Sequence, residues 1–398
     1  MLHVFSDILQ SVDRGDISVL VLLDLSAAFD TVDYEILLQR LRVSFGIDDV
    51  VHRWFQSYLL GRKQCVRRGN AASSVTHLQC GVPQGSVLGP VLFILYTADL
   101  ISLVESHNLS SHLYADDTQL YGSCRPANVD ELSQQISACT TDVASWMKSN
   151  RLQLNCDKTE VLWCATGRRQ HQLPHTPLLV DSVPVAPVSS VRNLGIYLDS
   201  DLVMRSQVSR TVSRCFATLR QLRQIRCCIP PTTFQTLVVA LVLSRLDYGN
   251  CVLYAMPAYL MQRLQSVMNA AARLIYGLRL CDHISEALIS LHWLRVNERV
   301  QYKLAVSTYK VLNGTAPSYL GPFTRVADLP GRRSLRSATT HRLVVPAFKL
   351  VSVGGRAFPV TGPKIWNSLP EYVTAAPSLQ IFRRQLKTFL IRQSHQAS

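Results

Sequence analysis

The sequence has 11 cysteines and 11 histidines, yet no CxxC pair and no His/Cys cluster at zinc-ligand spacing. Zinc fingers and ribbons are thereby excluded. Scattered thiols in a chain this long read as reduced, in an intracellular compartment, rather than as a disulfide scaffold. Apolar runs such as Val19 to Leu23 and Leu237 to Leu243 are too short to cross a bilayer, so no membrane partner is expected. The N-terminus carries Asp7 and Asp13 where a signal peptide needs a basic start. Charged residues are scarce, 17% against 47% hydrophobic. That balance excludes a disordered chain and allows two or three domains with sizeable cores. Acid is missing from one long stretch, with no Asp or Glu between Asp201 and Asp247.

What charge there is lies unevenly. Residues 1–200 hold 15 Lys/Arg against 20 Asp/Glu, whereas residues 201–398 hold 26 against 7. The total of +14 is thus an acidic half, suited to metal ions, followed by a basic half suited to a phosphate backbone. A solvated basic surface is the plainer alternative.

Hydrophobic spacing predicts a helix over 1–15, then a buried strand from Ser18 to Leu25. Helices are expected over Asp33–Leu41, Val50–Leu60 and Leu88–Leu103, with paired strands and a basic turn in 61–80. His112 to Tyr121 reads as a tight hairpin turning at Ala115-Asp116-Asp117. A helix over Val129–Asn150 follows, then short strands at Leu152–Leu154 and Val161–Cys164. Thr166 to Pro187 reads as loop. Beyond Asp201 most segments look helical. A Gly/Pro/Arg-rich stretch at 314–337 precedes a last helix over Ser378–Gln393.

Three carboxylates stand out. Asp24 closes an apolar strand, where a charge is costly without a partner. Asp116 and Asp117 are adjacent like charges at a hairpin tip, a repulsion that a divalent cation removes. A lone Asp-Asp is more often a solvated turn, and Asp24 alone could be a strand-end cap. Their company changes the reading. VLLDLSAAFDTVDYEILLQRL (21–41), GVPQGSVLGPVLFILYTADL (81–100), LYADDTQLY (113–121) and WMKSNRLQLNCDKTEVLW (146–163) occur in that order. They resemble motifs A to D of LINE-type (non-LTR) retrotransposon reverse transcriptases. NLGIYLDSDL (193–202) resembles the element after them, and HWLRVNERVQYKLAVSTYKVLNG (292–314) and PKIWNSLPEYV (363–373) resemble the C-terminal region of one LINE lineage.

The resemblance implies an α+β fold: a right-hand polymerase palm with a ferredoxin-like antiparallel sheet and helices, then a mostly helical thumb and a C-terminal extension. It implies a palm over 1–165, a loop and strand element over 166–203, a basic thumb-like region over 204–313 and the extension over 314–398. It implies RNA-directed DNA synthesis with two Mg²⁺ ions, or Mn²⁺ in their place, held by Asp24, Asp116 and Asp117. Lys158 would act on the leaving pyrophosphate. Leu25, Phe29, Gln84 and Gly85 would meet the incoming nucleotide, Phe29 as the gate against a ribose 2′-hydroxyl. Arg205, Arg210, Arg214, Arg220, Arg223 and Arg226 would contact nucleic acid. The implied partners are an RNA template, a DNA primer and deoxynucleoside triphosphates, in a cytoplasmic and nuclear ribonucleoprotein. Motif A begins soon after Met1, so the basic fingers region that family members carry before it is expected to be missing. That would weaken the grip on the triphosphate and uncover one palm surface. A catalytically silent nucleic-acid-binding product is therefore the alternative. An RNA-dependent RNA polymerase would share the carboxylates, but Phe29 argues against it. Tyr34 replaces the histidine common in the family.

Overall fold

Nine residues, Ile17–Leu25, form an inner strand of the largest sheet and are buried on both faces, as an apolar run without alternation requires. The computed structural model describes residues 1–329 and 341–396; the 330–337 part of the Gly/Pro/Arg-rich stretch lies outside them. The sheet has four strands in the order Ser110–Tyr114, Asp117–Cys124, Ile17–Leu25, Leu154–Cys164, and every pairing is antiparallel. The α+β expectation holds.

Helices dress this sheet. Val129–Ser149 buries Leu132, Ile136, Cys139, Val143 and Met147, a stripe at helical spacing. Tyr34–Val43 starts on Asp33, whose carboxylate accepts from the amides of Glu35 and Ile36, a standard N-cap. Arg40 knits three helices: it donates to Asn150 Oδ1 at 2.7 Å and lies over the rings of Tyr96 and Trp146. The Tyr96 hydroxyl donates to the Asn150 carbonyl at 2.5 Å.

Three local expectations are corrected. The helix predicted over Leu88–Leu103 is two helices, Leu88–Tyr96 and Asp99–Ser106, parted where Thr97 turns its hydroxyl back to the Phe93 carbonyl. Together they make a stretch apolar and long enough to cross a membrane by length and composition, unlike the shorter apolar runs read from the sequence. Their inner side packs against Tyr34–Val43 and Val129–Ser149, while Val87, Val91, Ile94 and Ile101 are exposed. The two strands predicted at 152–154 and 161–164 are one, Leu154–Cys164, interrupted by a register shift. The predicted loop 166–187 holds a small hairpin, Leu178–Val180 with Val183–Val185. Its turn residues Asp181 and Ser182 both have positive φ.

Contacts divide the chain into two units. The sheet unit comprises Ile17–Cys164 and His171–Val191; the second comprises Met1–Asp16, Ala165–Gln170 and Arg192–Ser398. Helix Leu2–Arg14 therefore belongs with the C-terminal part of the chain. Buried Asp13 accepts backbone N–H groups from Lys349, Leu350 and Gly354 at 2.7, 2.7 and 3.2 Å, and Ser6 Oγ accepts from Phe358 N at 2.9 Å. Arg356, 6% exposed, donates to the Leu202 carbonyl at 2.6 Å and lies against the Phe5 ring. The long helices Arg205–Ile225, Ala258–Tyr276, Val296–Leu312 and Leu379–Gln396 build the rest. Tyr309 stacks on Phe382 and Phe382 on Trp366, and Arg299 forks onto Asp247.

Candidate active site

Asp24 is the last residue but one of its strand, opposite Asn155. On its other side Leu23 faces Thr118, so Asp24 and Asp117 are the next positions along adjacent strands. Asp116 and Ala115 make the two-residue turn between Tyr114 and Asp117, with Ala115 at φ 54°, a left-handed backbone unusual for a residue with a Cβ. Burial, then the carboxylates of Asp116 and Asp24, hold the Asp117 carboxyl above its ordinary range. Asp117 thus feels both other acids, and the three lie at one end of the sheet.

Lys158 reaches this cluster because its strand bulges. Leu22 faces Glu160, but Asp24 faces Asn155, so the segment from Cys156 to Thr159 loops out of register. The Thr159 hydroxyl closes the loop on the Asn155 carbonyl at 3.0 Å. A bulge re-aims side chains, and Lys158 Nζ stands 3.5 Å from Asp24 Oδ2. That oxygen is buried and accepts no hydrogen bond from the described residues. Among the described residues no three His, Cys, Asp or Glu side chains converge as a ready metal cage. The acids nevertheless offer oxygen donors alone, with one buried oxygen unbonded, and that suits a hard divalent cation.

The residues expected to meet a nucleotide lie near two linked turns. Gly81 N donates to the Val32 carbonyl and Val82 N to the Phe29 carbonyl, each at 2.8 Å. A Cβ on Gly81 would lie 2.9 Å from the Asp30 carbonyl oxygen, so only glycine permits this approach. Phe29 is half-buried, its ring centroid 5.2 Å from that of Phe93. Gln84 and Gly85 are exposed, with open space where a Gly85 side chain would be. Leu25 is 7% exposed; its side chain belongs to the core, and only its main chain is available to a ligand.

Sequence reasoning passed over the props of this loop. The Tyr34 hydroxyl donates to the Cys80 carbonyl at 2.7 Å, and Arg62 donates to the Gly81 carbonyl at 2.8 Å. Ser86 Oγ donates to the Pro83 carbonyl and accepts from Gly89 N, capping the helix that follows. Nothing in spacing marks Arg62, whose partner is a backbone carbonyl 19 residues away in sequence.

The six arginines of the helical region do not form one stripe. Arg205 faces Asp201 at 3.3 Å. Arg210 and Arg214 line one cavity with Arg192 and Arg245. Arg220, Arg223 and Arg226 line another, beside Arg273 and Leu274.

Residues 6–198 match the family model described as reverse transcriptase (RNA-dependent DNA polymerase). A probable RNA-directed DNA polymerase from transposon BS of Drosophila melanogaster is 28% identical over 331 residues, covering 77% of this chain and 35% of that protein. The corresponding protein of transposon X-element from the same fly is 27% identical over 283 residues, covering 69% of this chain and 30% of that protein. The chain therefore spans about a third of the length of these curated relatives. A solved telomerase from Candida albicans, in complex with a fragment of telomeric RNA, overlaps 79% of this chain and 52% of its own, at 12% identity and a TM-score of 0.39; that likeness is too slight to build on. With four motifs in family order, three acids gathered at one sheet end and these relatives, the chain carries a reverse transcriptase domain of the LINE-type, non-LTR retrotransposon family.

Proposed function

We propose that this chain catalyses RNA-templated extension of a DNA primer by deoxynucleotides, with the sheet unit as palm and the 204–313 helices as thumb. The observation that carries the reading is the unbonded, buried Asp24 Oδ2 with Lys158 looped out beside it. The Lys158 ammonium, 3.5 Å away, is a long ion-pair partner that offsets the charge of this oxygen without a hydrogen bond, so a divalent cation would complete its coordination. Enzymes of this family use divalent metals; here Asp24, Asp116 and Asp117 would hold two Mg²⁺ ions. When bound, such ions supply Lewis-acid activation of a primer 3′-hydroxyl and neutralise charge on the leaving pyrophosphate. The chain's own residues do the rest. Lys158 Nζ gives its proton to the pyrophosphate oxygen. The Phe29 ring fills the space that a 2′-hydroxyl needs, and Gln84 and the Gly85 backbone meet the nucleotide from the open turn.

Primer extension on an RNA template with Mg²⁺ and deoxynucleotides tests this, comparing wild type with Asp116→Asn. Extension by wild type alone is expected. Equal extension by Asp116→Asn would overturn the site. Folded wild type that binds nucleic acid in a salt-sensitive manner without extending a primer would favour the second reading, binding without catalysis, which the charge imbalance between the two halves supports.

A further inference from the structure

The cavity beside Arg210 is built differently from a surface that tracks a phosphate backbone. It encloses about 610 Å³, within the range of pockets that bury a small ligand. Its charged lining is four arginines, Arg192, Arg210, Arg214 and Arg245, with no acidic residue. None of the four forms an ion pair among the described residues. Four unneutralised guanidinium groups around one hollow repel one another, and an anion relieves that cost.

Aromatic rings wall the same space. The Arg210 guanidinium sits over the Tyr197 ring at 4.3 Å from its centroid, and Arg192 approaches the same ring at 5.9 Å. Cation–π contact orients the Arg210 plane before any ligand arrives. The Tyr248 hydroxyl donates to the Leu194 carbonyl at 2.6 Å, and its ring lies against Gly195, where an added Cβ would come within 3.2 Å. One face of Tyr248 is thus set on backbone while the residue stays 55% exposed. Arg245 is held by the Thr218 hydroxyl at 2.8 Å. Gln207 is spent on structure, accepting from Tyr197 N and donating to Thr211. The Gln221 amide has no partner among the described residues and is open to a polar edge.

A held aromatic face, oriented guanidinium groups and an unused amide match a π-faced base with its phosphate. A duplex offers only phosphates to such a hollow, because its bases are stacked inside. An unpaired nucleotide offers both. We infer that this cavity takes one unpaired nucleotide of a single-stranded nucleic acid, its base against Tyr248 and its phosphate among Arg192, Arg210, Arg214 and Arg245. The inference rests on the proposed function only in expecting nucleic acid as partner, and assigns the cavity no part in the chemistry.

Fluorescence anisotropy with the full chain tests it, using a labelled 12-mer single-stranded RNA and a blunt duplex RNA of the same length. Tyr248→Leu is expected to weaken single-strand binding roughly tenfold, the worth of one stacked base, and to leave duplex binding unchanged. Tyr248→Phe keeps the ring and is expected to bind as wild type, which separates loss of stacking from loss of folding. Arg210→Gln with Arg214→Gln is expected to lose more single-strand affinity than Arg223→Gln with Arg226→Gln. Equal effects of Tyr248→Leu on both RNAs, or none on either, would overturn the inference. So would AMP displacing the 12-mer as effectively as unlabelled 12-mer, which would make this a free-nucleotide site. Measuring primer extension alongside, on the same variants with Asp116 intact, keeps the two proposals apart: a chain that fails to extend primers but shows this Tyr248 dependence retains the cavity, and one that extends without it loses only the cavity.

Discussion

Gly81 and Gly85 bound one five-residue turn and both hold positive φ, 91° and 82°, so an alanine at either meets a left-handed cost of roughly 1–2 kcal/mol. The structure separates them. At 81 the new Cβ would stand 2.9 Å from the Asp30 carbonyl oxygen and 3.1 Å from its Cα. Those are backbone atoms and cannot swing aside. The 81–82 and 29–32 segments must part, straining the hydrogen bonds to Val32 and Phe29. At about 1 kcal/mol each, they add about 2 kcal/mol. At 85 nothing lies within 4 Å of the added atom. Gly81→Ala should therefore cost about 2 kcal/mol more than Gly85→Ala. In a unit of this size that is a Tm gap of about 4–8 °C, read by differential scanning calorimetry on both variants and wild type. Equal Tm losses, or a larger loss for Gly85→Ala, would refute the reasoning. Because Phe29 accepts one of the strained bonds, Gly81→Ala should also narrow the preference for deoxynucleotides over ribonucleotides in a primer-extension assay.

Further outcomes follow from buried groups elsewhere. Burial lowers the Arg356 pKa to about 10, still charged at neutral pH. Arg356→Met should cost about 2–4 kcal/mol in urea unfolding, because the carbonyls of Leu202 and Val252 lose their donor; a loss under 1 kcal/mol would show that the bonds are idle. Burial also pushes the thiols of Cys139, Cys215 and Cys251 up to about 11. Since these thiol pKa values are raised, the reactive thiolate appears only at high pH, about one part in a thousand at pH 8. Iodoacetamide at pH 8 should modify exposed Cys65, Cys80, Cys227 and Cys281 and spare those three until denaturant is added, as mass spectrometry would show; native labelling of the three would contradict it.

The parts of the fold that repeat a period were legible. The apolar run before Asp24 and the stripe of Val129–Ser149 declared strand and helix within a residue or two of their observed ends. The bulge did not declare itself, because Cys156, Asp157, Lys158 and Thr159 break the alternation and read as a gap between two strands. The hairpin at 178–185 was hidden by Asp181-Ser182, which lacks the glycine usual in so tight a turn, and by Pro184 within a strand. At the candidate site, the acids, Lys158, Phe29 and Gln84 came from motif order. Their supports did not, because Tyr34 and Arg62 bond to backbone carbonyls, which leave no trace in side-chain pattern. The split of the six arginines was equally hidden: which way each points depends on helix phase and on partners far along the chain.

The clasp between Asp13 and residues 349–354 spans up to 341 positions in sequence. A ribosome adding roughly 5–20 residues per second needs about 17–70 s to make that interval. For all that time the apolar side of helix Leu2–Arg14, with Val4, Phe5, Ile8 and Leu9, waits for its C-terminal partners, whereas the four-stranded sheet has all its strands once Cys164 is made. A helix made before the sheet unit is thus among the last to find its place, and nascent chains halted before residue 349 should present it to chaperones.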